Sequence, residues 1–227
     1  YIDNLVNLVV VSGVRCQVSG AEIKRVLCPG GAAVLRAPSL SPEHRTLNTG
    51  SLPGLKGWSI YKKPVPAEID DWTHFLHGPD NNAVAADTVV GPPRRLQWRS
   101  GPKWTRHHDK MSSFSAMVSS GGRVFYILDE GSTASIYMPP AWALIARDAF
   151  NGTILWKRKI PKWHNDLRPY KAGPAHLPRK LVADGDRVYV TLVLNGPALA
   201  LDAATGKTVM TYNGTAPAAE PTPPAAC

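Results

Sequence analysis

The feature that most constrains this chain is a repeat inside it. Met117–Tyr126 (MVSSGGRVFY) matches Leu181–Val190 (LVADGDRVYV). In the same order, Ala143–Trp156 (ALIARDAFNGTILW) matches Pro197–Met210 (PALALDAATGKTVM). Each segment reads as a hairpin, two short apolar runs joined by a turn rich in Gly, Asn or Asp. The first pair is offset by 64 residues and the second by 54. A longer loop in the first copy, roughly Glu130 to Pro140, accounts for the difference. Each copy therefore holds two hairpins, or four antiparallel strands, and a period of this size is the mark of a repeat architecture.

The second hairpin of each copy carries specific turn chemistry. Asp148 and Asp202 stand where a carboxylate accepts backbone N–H groups across a turn. Gly152 and Gly206 supply a positive-φ position that a residue with Cβ resists. Trp156 lies four residues on, where a large flat side chain can wedge between neighbouring sheets. Met210 takes that place in the second copy, a weaker wedge. Trp98, closing Leu96-Gln97-Trp98, reads as the outer-strand Trp that precedes the first full copy. Four strands per repeat is what a β-propeller blade needs. The fold class expected is thus mainly β, a partial propeller of about two blades.

The rest of the chain divides by texture. Residues 1–37 read as strand, helix, strand: Leu5–Val11 is an apolar run suited to a strand covered on both faces. Ala21–Leu27 places Ile23, Val26 and Leu27 on one helical face. Pro29-Gly30-Gly31 is expected to stop that helix, and Ala32–Leu35 to resume as strand. Residues 38–67, with five prolines, read as a linker. Residues 68–214 have β texture, and 215–227 form a low-complexity tail expected to be disordered. The 21 prolines and 19 glycines of the 227 residues favour short strands and turns over long helices. No apolar run reaches the length of a membrane span, and no signal peptide is visible. Cys16, Cys28 and Cys227 have wide spacings and no metal-binding pattern, so they read as incidental or buried thiols. The net charge of +9 is spread in short clusters, Arg94-Arg95, Lys157-Arg158-Lys159 and Arg179-Lys180. These read as a solvated basic face that could meet a polyanion; a nucleic-acid surface is disfavoured, because no aromatic-interleaved basic stripe accompanies them.

The pattern A-x-D-x-x-x-G-x-x-x-W, present as Ala146, Asp148, Gly152 and Trp156 and again through Ala200, Asp202, Thr205 and Gly206, resembles the repeat of pyrroloquinoline-quinone (PQQ) type propellers. The lead-in Trp72, Phe75, Gly78, Pro79, Asn82, Pro93, Leu96 and Trp98 resembles the opening of propellers related to the outer-membrane assembly lipoprotein BamB. More narrowly, Asp70–Tyr212 looks like large PQQ-repeat proteins of planctomycete-type bacteria. In those an S-adenosylmethionine (SAM) methyltransferase-like domain can accompany the propeller, and residues 1–37 are similar to the end of such a domain. The resemblance implies further propeller blades as the partner of this piece. It leaves PQQ open for the family and SAM open for a parent protein, with neither cofactor held by this chain. It favours the cell envelope or periplasm slightly, or the cytoplasm if the methyltransferase likeness is functional.

No residue here is identified as catalytic. The vicinal cysteines that the family's alcohol-oxidising members carry are absent, and no PQQ or Ca²⁺ ligand set maps onto these residues. His107, His108, Asp109, Trp163 and His164 form the one loop set that could hold a ligand or metal. Adjacent His107 and His108 on an extended segment would point to opposite sides, so a surface role is the plainer reading. His74 and His77 in the lead-in are expected to be structural. The expected function is a binding or scaffold module without an intact catalytic site; the alternative is a part of a quinoprotein oxidoreductase or of a propeller-fused methyltransferase. Val188, Tyr189, Val190, Leu192 and Leu194 run apolar through the second copy, so an open apolar face is expected there.

Overall fold

A computed structural model describes residues 3–12, 18–36, 47, 49–88, 96–103, 106, 113–135, 137–163 and 176–215. The chain divides into two compact units. The first comprises residues 1–70, 86–99 and 149–152, and the second comprises 71–85, 100–148 and 153–227.

The first unit is α/β. Strand β1 (Val6–Val11) leads through helix α1 (Gly20–Val26) to β2 (Leu27–Arg36), parallel to β1. Ser19 caps the helix, its hydroxyl accepting from the Glu22 N–H at 3.1 Å. At the other end the Lys63 ammonium donates to the carbonyls of Lys24 and Leu27, at 2.6 and 2.7 Å, where the helix leaves carbonyls without intrahelical partners. The helix ends at Val26, before the Pro29-Gly30-Gly31 segment expected to stop it, and that segment is already strand. The register of β1 on β2 shifts between Val6 and Leu8, opposite this segment. Gly31 has no room for a Cβ, which would lie 2.9 Å from the Cys28 carbonyl oxygen.

Two expectations for this unit are corrected. The span 38–67 is not wholly linker, because β3 (Gly50–Ser51) and β4 (Trp58–Lys62) extend the sheet in the order β1-β2-β4-β3. The β-rich run Trp58-Ser59-Ile60-Tyr61 pairs antiparallel with Ala33–Arg36. Nor is β1 covered on both faces. Val11 packs with Ile23, Leu27, Ala33, Leu35 and Tyr61, whereas Leu8 and Val10 are more than half exposed on the opposite face of an edge strand.

The second unit is all β. Strands β5 (Phe114–Ser120), β6 (Arg123–Asp129), β7 (Trp142–Asp148) and β8 (Ile154–Lys159) form one antiparallel sheet in chain order. Strands β9 (Leu181–Asp184), β10 (Arg187–Thr191), β11 (Ala198–Asp202) and β12 (Thr208–Tyr212) form a second with the same order. Both are four-stranded meanders, the build of a propeller blade. One core joins them: Val118, Phe125, Ile127, Leu144 and Ala146 of the first sheet with Leu181, Ala183, Val188, Val190 and Leu201 of the second. Full burial of each such aliphatic or aromatic side chain contributes about 1.5–3 kcal/mol. Val188, Val190 and Leu192 therefore do not make an open apolar face as expected. The period of two turns them toward the first sheet, and Tyr189 and Thr191 toward the other side.

Candidate binding surface

The repeated Asp-x-x-x-Gly turn is where each outer-strand Trp docks. In the second unit, Trp156 on β8 pairs with Ala146 on β7, and its indole lies over the Gly206 turn of the second sheet. The indole N–H donates to the Ala203 carbonyl at 2.9 Å. A Cβ on Gly206 would fall 2.6 Å from the ring, and Gly206 sits at φ +69°, so side-chain volume and backbone conformation both require glycine there. Arg158, two residues on, donates to the Gly206 carbonyl and the Thr208 hydroxyl, each at 2.9 Å.

The first unit repeats this arrangement. The Trp98 indole N–H donates to the Ala149 carbonyl at 2.8 Å, and a Cβ on Gly152 would run into the Trp98 ring. The two docks, Trp98 on 149–152 and Trp156 on 203–206, use the same atoms of the same turn.

The two aspartates hold these turns. The Asp202 carboxylate accepts from the Thr205 N–H at 2.8 Å and the Thr205 hydroxyl at 2.6 Å. Those hydrogen bonds keep its carboxyl below the usual carboxylate range. Asp148 is buried at the end of β7, and its N–H donates to the Thr153 carbonyl across the turn.

Several residues that sequence inspection set aside prove to be anchors. Asp71 accepts from the Ser120 hydroxyl at 3.3 Å and the Gly121 N–H at 3.0 Å. The lead-in beside it ties both sheets. Ser119 N–H donates to the Trp72 carbonyl at 2.7 Å, and Ala183 N–H to the Thr73 carbonyl at 3.0 Å. Trp72 also stacks edge-on against His77 and donates its indole N–H to the Phe75 carbonyl, and His74 N–H donates to the His77 carbonyl. Arg106 and Asp129 make an ion pair of 2.8 Å with both side chains 2% exposed. Beside β5 an apolar groove of about 590 Å³ is lined by Trp72, Phe75, Phe114, Met117, Val124 and Pro178, among others. No local motif announced the Arg106–Asp129 pair or the Asp71 tie, since each joins residues far apart in sequence.

Of the loop set proposed for a ligand or metal, His107, His108, Asp109 and His164 lie outside the described residues. Trp163 is a correction: it is 1% exposed in the core, and its indole N–H donates to the Ser115 hydroxyl at 2.7 Å. An apolar indole flanked by β5 and by Lys180, 5.8 Å over its ring, has no face left for a ligand. Among the described residues no three His, Cys, Asp or Glu side chains gather as metal ligands. Cys28 is a buried free thiol. The basic clusters are engaged in packing more than in a free charged face: Lys157 pairs with Glu130 at 2.6 Å, Arg158 holds the Gly206 turn, and Arg179 lies over Phe75 while donating to Asn81. Among the described residues no helix is long and apolar enough to cross a membrane.

No protein-family profile and no curated protein matches the chain. Solved structures similar to it include BamB from Moraxella catarrhalis, with 23% identity and a TM-score of 0.26 over 40% of this chain and 21% of that one. A europium-containing methanol dehydrogenase has 12% identity and a TM-score of 0.33 over 63% and 23%. The quinohemoprotein alcohol dehydrogenase from Comamonas testosteroni has 14% identity and a TM-score of 0.34 over 65% and 20%. The chain thus spans about a fifth of the length of each of these structures. None of these likenesses bears on activity, and none extends the resemblance of residues 1–37 to a methyltransferase domain. The mainly β fold of two four-stranded blades rests on the sheets themselves.

Proposed function

We propose that this chain works as a scaffold or binding module, a pair of propeller blades that hold polypeptide against their sheets. The observation that carries this reading is the indole-on-turn dock. Trp156 joins one sheet to the next through a ring over Gly206 and a 2.9 Å hydrogen bond to Ala203, and Trp98 places an identical contact on the Gly152 turn. A contact made twice with the same atoms is a device for adding sheet to sheet. The polar side chains of the described residues serve it: Asp202 holds a turn, Asp71 ties a lead-in to a hairpin, and Arg158 donates to a turn carbonyl. Further blades are the partners such a device fits, and a polyanion is the other chemistry its +9 charge suits.

Two measurements on the full chain test this. Trp156→Ala should lower the unfolding midpoint, because the dock stabilises the sheet pair. An unchanged midpoint removes the dock as the organising contact. Titration with PQQ and Ca²⁺, followed by dye-linked alcohol oxidation, should show neither stoichiometric quinone binding nor turnover. Either result would replace the scaffold reading with an enzymatic one.

A further inference from the structure

We propose that the side of the second sheet bearing Met210 and Tyr212 is a docking surface for another sheet of the same repeat type, one that brings its own unfilled Asp-x-x-x-Gly turn. This inference rests on the scaffold reading and names the partner of that device.

The register of the two sheets fixes the correspondence. Across the first sheet, Val118, Phe125, Ala146 and Trp156 stand opposite one another in a single row, and Ile127, Leu144 and Arg158 in the next. Across the second, the rows are Val182, Tyr189, Ala200 and Met210, then Thr191, Ala198 and Tyr212. Cross-strand partners share a face, so these rows are the same side of the two sheets. In the first sheet that side is the one packed on its neighbour: Phe125, Ile127 and Leu144 are 0% exposed, and the Phe125 and Trp156 rings meet at 5.9 Å. In the second sheet Met210 is 52% and Tyr212 38% exposed, with Tyr189, Thr191 and Ala198 half-buried.

The composition of the exposed rows indicates what they suit. Phe125 is replaced by Tyr189, Ile127 by Thr191, Leu144 by Ala198, and Trp156 by Met210. Each replacement is smaller or more polar. A face of Tyr, Thr, Met and Ala tolerates water and still packs, and Tyr and Met are enriched where proteins associate. Met210 is unbranched and adapts to an irregular surface.

The occupant follows from the dock. What covers this side of the first sheet is a sheet whose Asp-x-x-x-Gly turn receives Trp156 and Arg158. Met210 and Tyr212 occupy those two places. A second copy of this chain cannot supply the turn, because Gly152 already carries Trp98 and Gly206 already carries Trp156. The partner therefore brings a turn with a bare glycine and a backbone carbonyl beside it, on whichever polypeptide carries it.

The test uses the full chain and a labelled, backbone-cyclised hairpin with the sequence Ala198–Tyr212, whose Asp202–Gly206 turn is unfilled when it stands alone. Fluorescence anisotropy should show the hairpin binding. Chain Met210→Trp, which restores the indole and its N–H donor, should bind it about tenfold more tightly. Chain Met210→Asp should lose binding, as should a Gly206→Val hairpin, in which the turn has no room for the ring. Binding that ignores both Met210→Asp and the Gly206→Val hairpin overturns the proposal, and so does no binding by either the natural or the Met210→Trp chain. If the hairpin fails to bind while Trp156→Ala still destabilises the chain, this inference alone falls. If Trp156→Ala has no effect, the scaffold reading falls first.

Discussion

The two sheets follow one sequence pattern, and they part company at the end of their second strands. In the first, Asp129 closes β6 with its carboxylate 2% exposed, accepting from Gly131 N–H at 2.9 Å, Ala141 N–H at 2.7 Å and the Arg106 guanidinium at 2.8 Å. Arg106 also donates to the Ser135 and Met138 carbonyls of the longer loop. In the second, the matching position is Val193, 51% exposed, and the chain turns at once through a Gly196 N–H to Val193 carbonyl bond of 3.0 Å. Lengthening a loop costs little in closure entropy, so the strands tolerate either connection. What the longer loop adds is buried backbone polar groups that need partners, and one buried ion pair supplies them. The extra ten residues of the first copy are thus a structured insertion, pinned by Asp129, with Tyr137 and Met138 exposed along it.

Breaking that pin should have the largest effect. Asp129→Ala leaves the Arg106 charge buried without its carboxylate, and the cost should be about 3–5 kcal/mol. Urea unfolding of the full chain measures it. A midpoint equal to that of the natural chain would mean the loop holds itself, and the difference between the sheets would be one of length alone.

The second contrast is Trp156 against Met210, the same register position in the two sheets. Trp156→Ala should cost about 3 kcal/mol, at the low end for a Trp truncation because the ring is only partly buried. Met210→Ala should stay within about 0.5 kcal/mol, as an exposed substitution does. Equal losses in thermal melts would erase the distinction between a docked and an open face.

A smaller effect belongs to the turn that receives the ring. Gly206→Ala must place a Cβ at φ +69° and 2.6 Å from the Trp156 indole. The left-handed conformation alone costs about 1–2 kcal/mol. If combining Gly206→Ala with Trp156→Ala costs as much as the two singly added together, ring and glycine are independent; a sub-additive double mutant confirms that they act as one contact.

These elements were legible in the sequence to very different degrees. The hairpins, the Asp-x-x-x-Gly turns and the place of Trp156 are local: a turn needs particular residues at fixed offsets, and the pattern repeats. The role of 58–62 was not legible, because β4 finds its partner at 32–36 across a Pro-rich stretch that reads as a linker. The facing of Val188 and Val190 was misjudged for a different reason. An apolar run shows that a strand is buried, and only the register of β10 on β9 and β11 says which side faces the neighbour. Asp71, Arg106 and Asp129 stayed hidden because a lone charged residue carries no sign of a partner more than 20 positions away.

The least effect expected separates the two turns themselves. In the second copy Thr205 donates both its N–H and its hydroxyl to Asp202, and these bonds, with a smaller attraction from Arg187, lower the Asp202 carboxyl below its ordinary value. In the first copy Asn151 stands in the place of Thr205, with its side-chain amide turned to the Asn7 carboxamide. A carboxyl whose value is lowered on folding adds stability in full above its unfolded value of about 4, and that stability fades as pH falls through the lowered folded value. Asp202→Asn should therefore melt below the natural chain near pH 7, with the gap closing near pH 3. Thr205→Ala should move the same way, having lost the stronger of the two bonds to the carboxylate. Asp202 is fully exposed, so water screens the contribution and the shift should be the smallest of the series. A gap between the natural chain and Asp202→Asn that stays constant from pH 7 to pH 3 would show that Asp202 serves the turn by shape, with no contribution from its charge.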